Sequence, residues 1–186
     1  MFVIRKLTDN DFPEIKRIFI QTFPRTDDTD FAVAWRTKEC NYSLGLFHKA
    51  TLVGFAITCL EEDGAAARLW FIAVDPAQRS CGAGTQLLNA LIARVKVDGK
   101  RLVLTPDNSE RVISWYERHG FVITRHLPFI HKDIPTCWMK WQGDLPADLQ
   151  VDPQSPASTK TLSSGSGRAS SGRSSFSCDD MQPLEI

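Results

Sequence analysis

Residues 69–92 read LWFIAVDPAQRSCGAGTQLLNALI, and the fold turns on how they are read. With the two residues before it, Ala67 and Arg68, the opening forms an almost continuous apolar run to Val74, as expected of a strand buried on both faces. Beyond Gly84, residues Leu87, Leu88, Leu91, Ile92 and Val95 follow at helical spacing. Gly82 and Gly84 stand where that helix begins, although glycine in a helix costs about 1 kcal/mol relative to alanine. Either the chain makes a tight turn there, or something comes close to bare backbone.

Working outward, residues 2–7 (FVIRKL) read as an opening strand. Residues 9–23 read as a helix with Phe12, Ile15, Phe19 and Phe23 on one face; Asp11 and Glu14 resemble a capping box, and Pro13 is tolerated in a first turn. Residues 29–39 read as a shorter helix. The runs 42–48 and 51–60, separated by Lys49 and Ala50, read as an antiparallel hairpin. Residues 101–105 form a further strand, and 107–121 a helix carrying Val112, Trp115, Tyr116 and His119, closed by Gly120. The runs 121–127 and 136–141 complete the sheet. The expectation is a mixed α/β (α+β) sheet with at least one right-handed crossover.

After residue 143 the chain turns rich in Ser, Gly and Pro and poor in large apolar residues. Such a segment buries too little surface to offset its ordering entropy, so 144–186 is expected to be a disordered tail behind a domain of residues 1–143. Formal net charge is zero over the whole chain, with 22 basic and 22 acidic residues. That balance argues against a dedicated nucleic-acid or membrane-surface binder. No apolar stretch approaches the ~18 residues of a membrane span, and the N-terminus lacks a signal peptide's apolar core. Five scattered cysteines, with no CxxC pair and no Cys/His cluster, indicate neither a disulfide framework nor a metal site. A reducing compartment is expected, cytoplasmic or nuclear.

A helix N-terminus presents unpaired N–H groups and about half a unit of positive charge. Glycines there let an anion approach without meeting a Cβ atom, and Arg79 adds a full charge. These features describe a phosphate or pyrophosphate cradle. A dinucleotide fingerprint would need glycine where Leu87 stands, and a nucleoside-triphosphate loop needs a lysine after its last glycine, where Thr85 stands. Neither fits.

The stretch resembles instead the acetyl-CoA motif of the GNAT superfamily of N-acetyltransferases, Gln/Arg-x-x-Gly-x-Gly/Ala, filled here by Arg79, Gly82 and Gly84 with Ser80, Cys81 and Ala83 at the variable places. Residues 109–121 (SERVISWYERHGF) are similar to the family's second motif, which ends Tyr-Glu-x-x-Gly-Phe. The resemblance spans roughly residues 2–142. It implies a central, mostly antiparallel sheet of six to seven strands flanked by about four helices. It further implies acetyl transfer from acetyl-CoA, as co-substrate and without metal, to a primary amine by direct attack in a ternary complex.

Under the resemblance, backbone N–H groups from Arg79 to Thr85 hold the pyrophosphate. Ile72, Ala73 and Val74 bind pantetheine and the acetyl carbonyl, their N–H groups stabilising an oxyanion, an effect worth about 2.7–4 kcal/mol in other acyl-transfer sites. The family's pantetheine-contacting asparagine, seven residues before the helix tyrosine, maps to Ser109, with Asn108 one place earlier; one of the two takes that contact. Tyr116 matches the general acid that protonates the leaving thiolate, and a phenol of pKa ~10 suits a thiol of ~8.5 or above. The amine must lose its proton by a base or by desolvation, since at pKa ~10.4 only about one part in a thousand is neutral near pH 7. Many family members carry a carboxylate on the motif strand; residues 68–74 have none. Glu61 and Glu62, at the end of the preceding strand, are the candidate bases, beside His48 and a water chain.

The family's acceptor groove maps to residues 23–31 and 127–135, where Asp27, Asp28 and Asp30 give a weak preference for a cationic acceptor such as a lysine side chain, an N-terminus or a small amine. The alternative is a catalytically silent acetyl-CoA-binding sensor or scaffold.

Overall fold

The structure is a computed structural model that describes residues 1–143 except 25, 27, 108, 132 and 133; for 80, 81, 128–131, 134 and 135 the backbone alone is described. The expected tail at 144–186, Asp27 and Asn108 lie outside the described residues. Among those described are seven strands and four α-helices: β1 (Phe2–Lys6), α1 (Phe12–Thr22), α2 (Asp28–Arg36), β2 (Leu44–His48), β3 (Thr51–Leu60), β4 (Ala66–Val74), α3 (Ala83–Val97), β5 (Arg101–Leu104), α4 (Glu110–Glu117), β6 (Phe121–His131) and β7 (Ile134–Trp141). The sheet order is β1-β2-β3-β4-β5-β7-β6. Every pairing is antiparallel except β4 with β5, which α3 connects as a crossover.

The sheet is buried on both sides, which is why β3 and β4 read as unbroken apolar runs. One core lies under α3 and α4: Leu87, Leu88, Leu91 and Val95 of α3 meet Leu44, Ala56 and Leu69 of the sheet. Leu87, Leu88 and Leu91 are 0% exposed, each burial contributing about 1.5–3 kcal/mol. The opposite core lies under α1 and α2, where Ile15, Ile18, Phe19 and Phe31 meet Phe47, Phe55 and Ile57. Phe19 and Phe31 stack with centroids 4.2 Å apart, fixing α1 against α2.

Element ends follow local chemistry. The expected helix at 107–121 is shorter because Ser109 caps it, its hydroxyl accepting from the Val112 N–H at 3.3 Å. Gly120 closes that segment at φ +82°, and a Cβ there would lie 2.7 Å from the Gly143 carbonyl oxygen. Strands β6 and β7 run further than the sequence runs suggest, pairing as far as His131 with Ile134. Pro128 lacks a ladder donor, and the register is irregular between Leu127 and His131, where it falls.

Candidate active site

Strand β4 has two halves. Its first four residues pair in parallel with β5, from Ala66 with Arg101 to Leu69 with Leu104. There β5 ends, and Pro106 supplies no N–H. The Thr136 hydroxyl donates to the Pro106 carbonyl at 2.7 Å, drawing the chain toward β7. Among the described residues, 71–74 of β4 therefore pair with β3 alone, and the edge that faced β5 opens. The register with β3 steps from Ile57–Phe71 to Thr58–Leu69, so Trp70 is the extra residue of a β-bulge. Trp70 and Phe71 consequently pack on the same side, against the α1–α2 core, while Ile72 packs on the other. The Trp70 indole donates to the Cys59 sulfur at 2.6 Å, tying the bulge to β3.

Past Val74 the chain makes a single 3-10 segment, Pro76–Cys81. Asp75 caps it, one carboxylate oxygen accepting from the Ala77 N–H at 3.0 Å and the other from Arg17 of α1 at 2.8 Å. Gly82 follows at φ +67°, a left-handed conformation that L side chains rarely adopt, and a Cβ there would meet nothing within 4 Å. Its carbonyl accepts from the Gln86 N–H at 3.0 Å, making it the N-cap of α3. Among the described residues no side chain caps this terminus. The first-turn N–H groups and the positive end of a 15-residue helix thus open off the end of β4.

The Arg79 guanidinium is half-buried. Its Nε donates to the Val74 carbonyl at 3.1 Å and Nη2 to the Thr22 hydroxyl at 3.3 Å, so it braces β4 against the end of α1. Burial lowers its pKa and nearby Asp75 opposes this. Across the core, Tyr116 of α4 is 6% exposed, edge-on to Trp115 and Phe121 at 4.8 and 5.4 Å. Among the described residues its hydroxyl has no hydrogen-bond partner, and burial pushes its pKa well up. His119 links α4 to α3, its Nε2 3.2 Å from Thr85 Oγ1.

A sequence profile of the acetyltransferase (GNAT) family matches residues 8–121. The chain belongs to this family. Membership makes it an acetyl-CoA-dependent N-acetyltransferase. No curated protein matches the chain in sequence. Among solved structures, Ard1 from Thermoplasma volcanium is similar at 21% identity and a TM-score of 0.65, covering 75% of this chain and 95% of that one. The ribosomal-protein-S18-alanine N-acetyltransferase from Escherichia coli is similar at 26% identity and TM-score 0.64, over 75% and 92%. A GNAT acetyltransferase from Elizabethkingia anophelis with acetyl-CoA bound follows at 18% and 0.61, over 76% and 97%.

In this GNAT acetyltransferase the residues expected to hold acetyl-CoA gather in one place. Ile72, Ala73 and Val74 form the open half of β4; Arg79, Ser80 and Cys81 lie in the 3-10 segment; Gly82 caps α3, and Ala83, Gly84 and Thr85 make its first turn. Nothing is described of the Ser80 and Cys81 side chains. Ser109 spends its hydroxyl on the α4 cap. Glu61 and Glu62 do not join this group. The Glu61 N–H bonds the Ala66 carbonyl, six residues before Ile72 along β4, a separation of about 20 Å at ~3.3 Å per residue. The Glu61 carboxylate lies 2.7 Å from Arg68 Nε as an ion pair, without the alignment of a hydrogen bond. The Arg68 guanidinium in turn sits 4.2 Å above the Trp138 ring. The bulge at Trp70, the Arg68 pair and the His119–Thr85 contact carry no periodic signal, and sequence reading had no means to find them.

Proposed function

We propose that residues 1–143 move the acetyl group of acetyl-CoA to a primary amine by direct attack, with the thioester laid along the open edge of β4. The observation that carries this reading is that, among the described residues, the N-terminus of α3 has no side-chain cap and lies at the end of a strand edge without a partner. The helix mouth offers N–H groups and positive potential to the diphosphate. The edge of residues 70–74 offers main-chain groups to the pantetheine amides and an N–H to the acetyl oxygen as it becomes an oxyanion.

Attack by the amine lone pair on the thioester carbon forms the C–N bond. Collapse of the tetrahedral species breaks C–S and expels a thiolate. Tyr116 donates its phenolic proton to that thiolate, and the extra proton on the attacking nitrogen leaves through water and restores the phenol. Burial keeps the phenol protonated through the working pH range, so its proton is in place when the thiolate leaves. We assign loss of the amine proton to desolvation rather than to Glu61 or Glu62. Phe23, Trp70 and Phe71 line the α1–α2 side of the bulge, and an apolar wall favours the neutral amine. Protein lysines, N-termini and small amines all present the required group. The setting proposed is cytoplasmic or nuclear; among the described residues no helix is long and apolar enough to cross a membrane.

A second reading, an acetyl-CoA sensor without turnover, is favoured by one observation: the Glu61 carboxylate, a candidate base, is held in an ion pair by Arg68. Thiol release from acetyl-CoA over a panel of primary amines separates the two. Turnover with any amine supports the transferase; tight coenzyme binding with no release across the panel supports the sensor.

A further inference from the structure

His119 bridges two helices by both ring nitrogens. Nδ1 lies 2.7 Å from the Trp115 carbonyl oxygen and Nε2 lies 3.2 Å from Thr85 Oγ1. A carbonyl only accepts, so Nδ1 carries the hydrogen; in the neutral ring Nε2 is a lone pair, and the Thr85 hydroxyl donates to it. Thr85 belongs to the first turn of α3. With its hydrogen committed to the imidazole, this hydroxyl offers only lone pairs to the helix mouth, where a phosphate oxygen is also only an acceptor. Protonation of the ring reverses the arrangement. Nε2–H then donates to Oγ1, the hydroxyl hydrogen is free for a phosphate oxygen, and a positive charge stands behind it.

We propose that His119 and Thr85 act together as a proton-linked ligand of the coenzyme A diphosphate: binding draws one proton from solvent onto His119 Nε2 and turns the Thr85 hydroxyl hydrogen to a phosphate oxygen. This rests on the reading that the α3 N-terminus takes the diphosphate. The surroundings suit such a switch. Burial lowers the pKa of the free ring, the Trp115 carbonyl works against that, and Arg118 adds to the lowering. The ring packs on the Trp115 indole at 4.6 Å, and α3 presents the uncharged Thr85. The free ring is therefore neutral near pH 7, and an arriving diphosphate supplies the negative charge that raises its proton affinity.

The test is calorimetric titration of dephospho-coenzyme A into the full-length protein between pH 8 and 5.5, in buffers of different ionisation heat. The dephospho form lacks the phosphate monoester, whose second ionisation near pH ~6 would mask the linkage. The affinity should rise at least about tenfold as pH falls, the equivalent of at least one pKa unit, with uptake of about half a proton or more midway between the free and bound pKa values. His119→Gln places a permanent amide donor near the Nε2 position, and Thr85→Val removes the hydroxyl. Each should bind with a flat pH profile, and Thr85→Val more weakly than wild type. Equal wild-type affinity across the range, or an unchanged pH slope in a folded Thr85→Val or His119→Gln protein, overturns the proposal. Absence of wild-type binding at every pH would instead overturn the cofactor-site reading, and this inference with it.

Discussion

Replacing Tyr116 with Phe should lower activity and leave stability nearly unchanged. The phenol is 6% exposed and its hydroxyl has no partner among the described residues, so the substitution breaks no internal hydrogen bond. The hydroxyl oxygen is not one of the fully buried side-chain atoms that lack a partner, so it keeps contact with solvent and its deletion relieves little desolvation cost. Stability should change by no more than about 0.5 kcal/mol, or about 1–2 °C in Tm for a chain of this size. The catalytic effect follows from general-acid loss, which typically costs 10²–10⁴-fold. A thiolate is a fair leaving group without help, so the lower end applies: kcat should fall about 10²-fold, or about 2.7 kcal/mol of barrier. Coenzyme A affinity should hold within about twofold, below ~0.4 kcal/mol. Thiol release at saturating acetyl-CoA, thermal melting and calorimetry read the three quantities on one preparation. A variant that melts lower than wild type yet keeps kcat within about threefold would refute the assignment, because the hydroxyl would then be structural.

Further outcomes follow from the same geometry. Gly82→Val puts a β-branched side chain at φ +67° in open space, so strain of at least ~1–2 kcal/mol falls on the α3 mouth; coenzyme A affinity should drop about tenfold or more in a titration. The Arg5 guanidinium, at 2.7 and 2.8 Å, holds the Asp11 carboxyl at about 2, with Thr8 assisting against burial. Its folded pKa lies below the unfolded one, so this stability is present above pH ~4 and is lost as pH falls toward 2. Asp11→Asn should cost about 2 kcal/mol at pH 7 in denaturant melts and flatten the acid limb of stability. Both tyrosines of the chain are raised: Tyr116 by burial, and Tyr42 to about 12 by burial and its bond to Asp98. Their folded pKa values exceed the unfolded ~10, so stability is full below pH ~10 and declines above it. Ultraviolet titration of the folded protein should show no tyrosinate at pH 10.

The architecture was legible because each element carries a clear period. The helical spacing from Leu87 to Val95 and the unbroken apolar runs of β3 and β4 leave little choice but a sheet covered on both faces, and Gly82 and Gly84 mark the crossover. The opening between β4 and β5 was not legible, because β4 stays apolar for five residues past its last β5 partner. What separates the strands is a Thr136–Pro106 bond spanning 30 positions of sequence. Side-chain destinations were hidden for the same reason. Arg79 reads from its motif as a free cation near phosphate, yet its guanidinium reaches back to Val74 and across to Thr22. Glu61 reads as a candidate base at the end of the strand preceding the motif, yet its neighbours on the motif strand are Ala66 and Arg68 at the far end. The backbone of the motif residues was legible, by contrast, because the left-handed Gly82 and the first turn of the helix after it follow from local sequence.

The most direct test compares three ligands in one calorimetric series on the full-length protein: coenzyme A, dephospho-coenzyme A and pantetheine. If first-turn amides of α3 grip the diphosphate, both nucleotide forms bind saturably at one site, and pantetheine binds at least about a hundredfold more weakly, ~2.7 kcal/mol. Equal affinity for pantetheine and coenzyme A, or no heat with any of the three, would contradict the account at its centre.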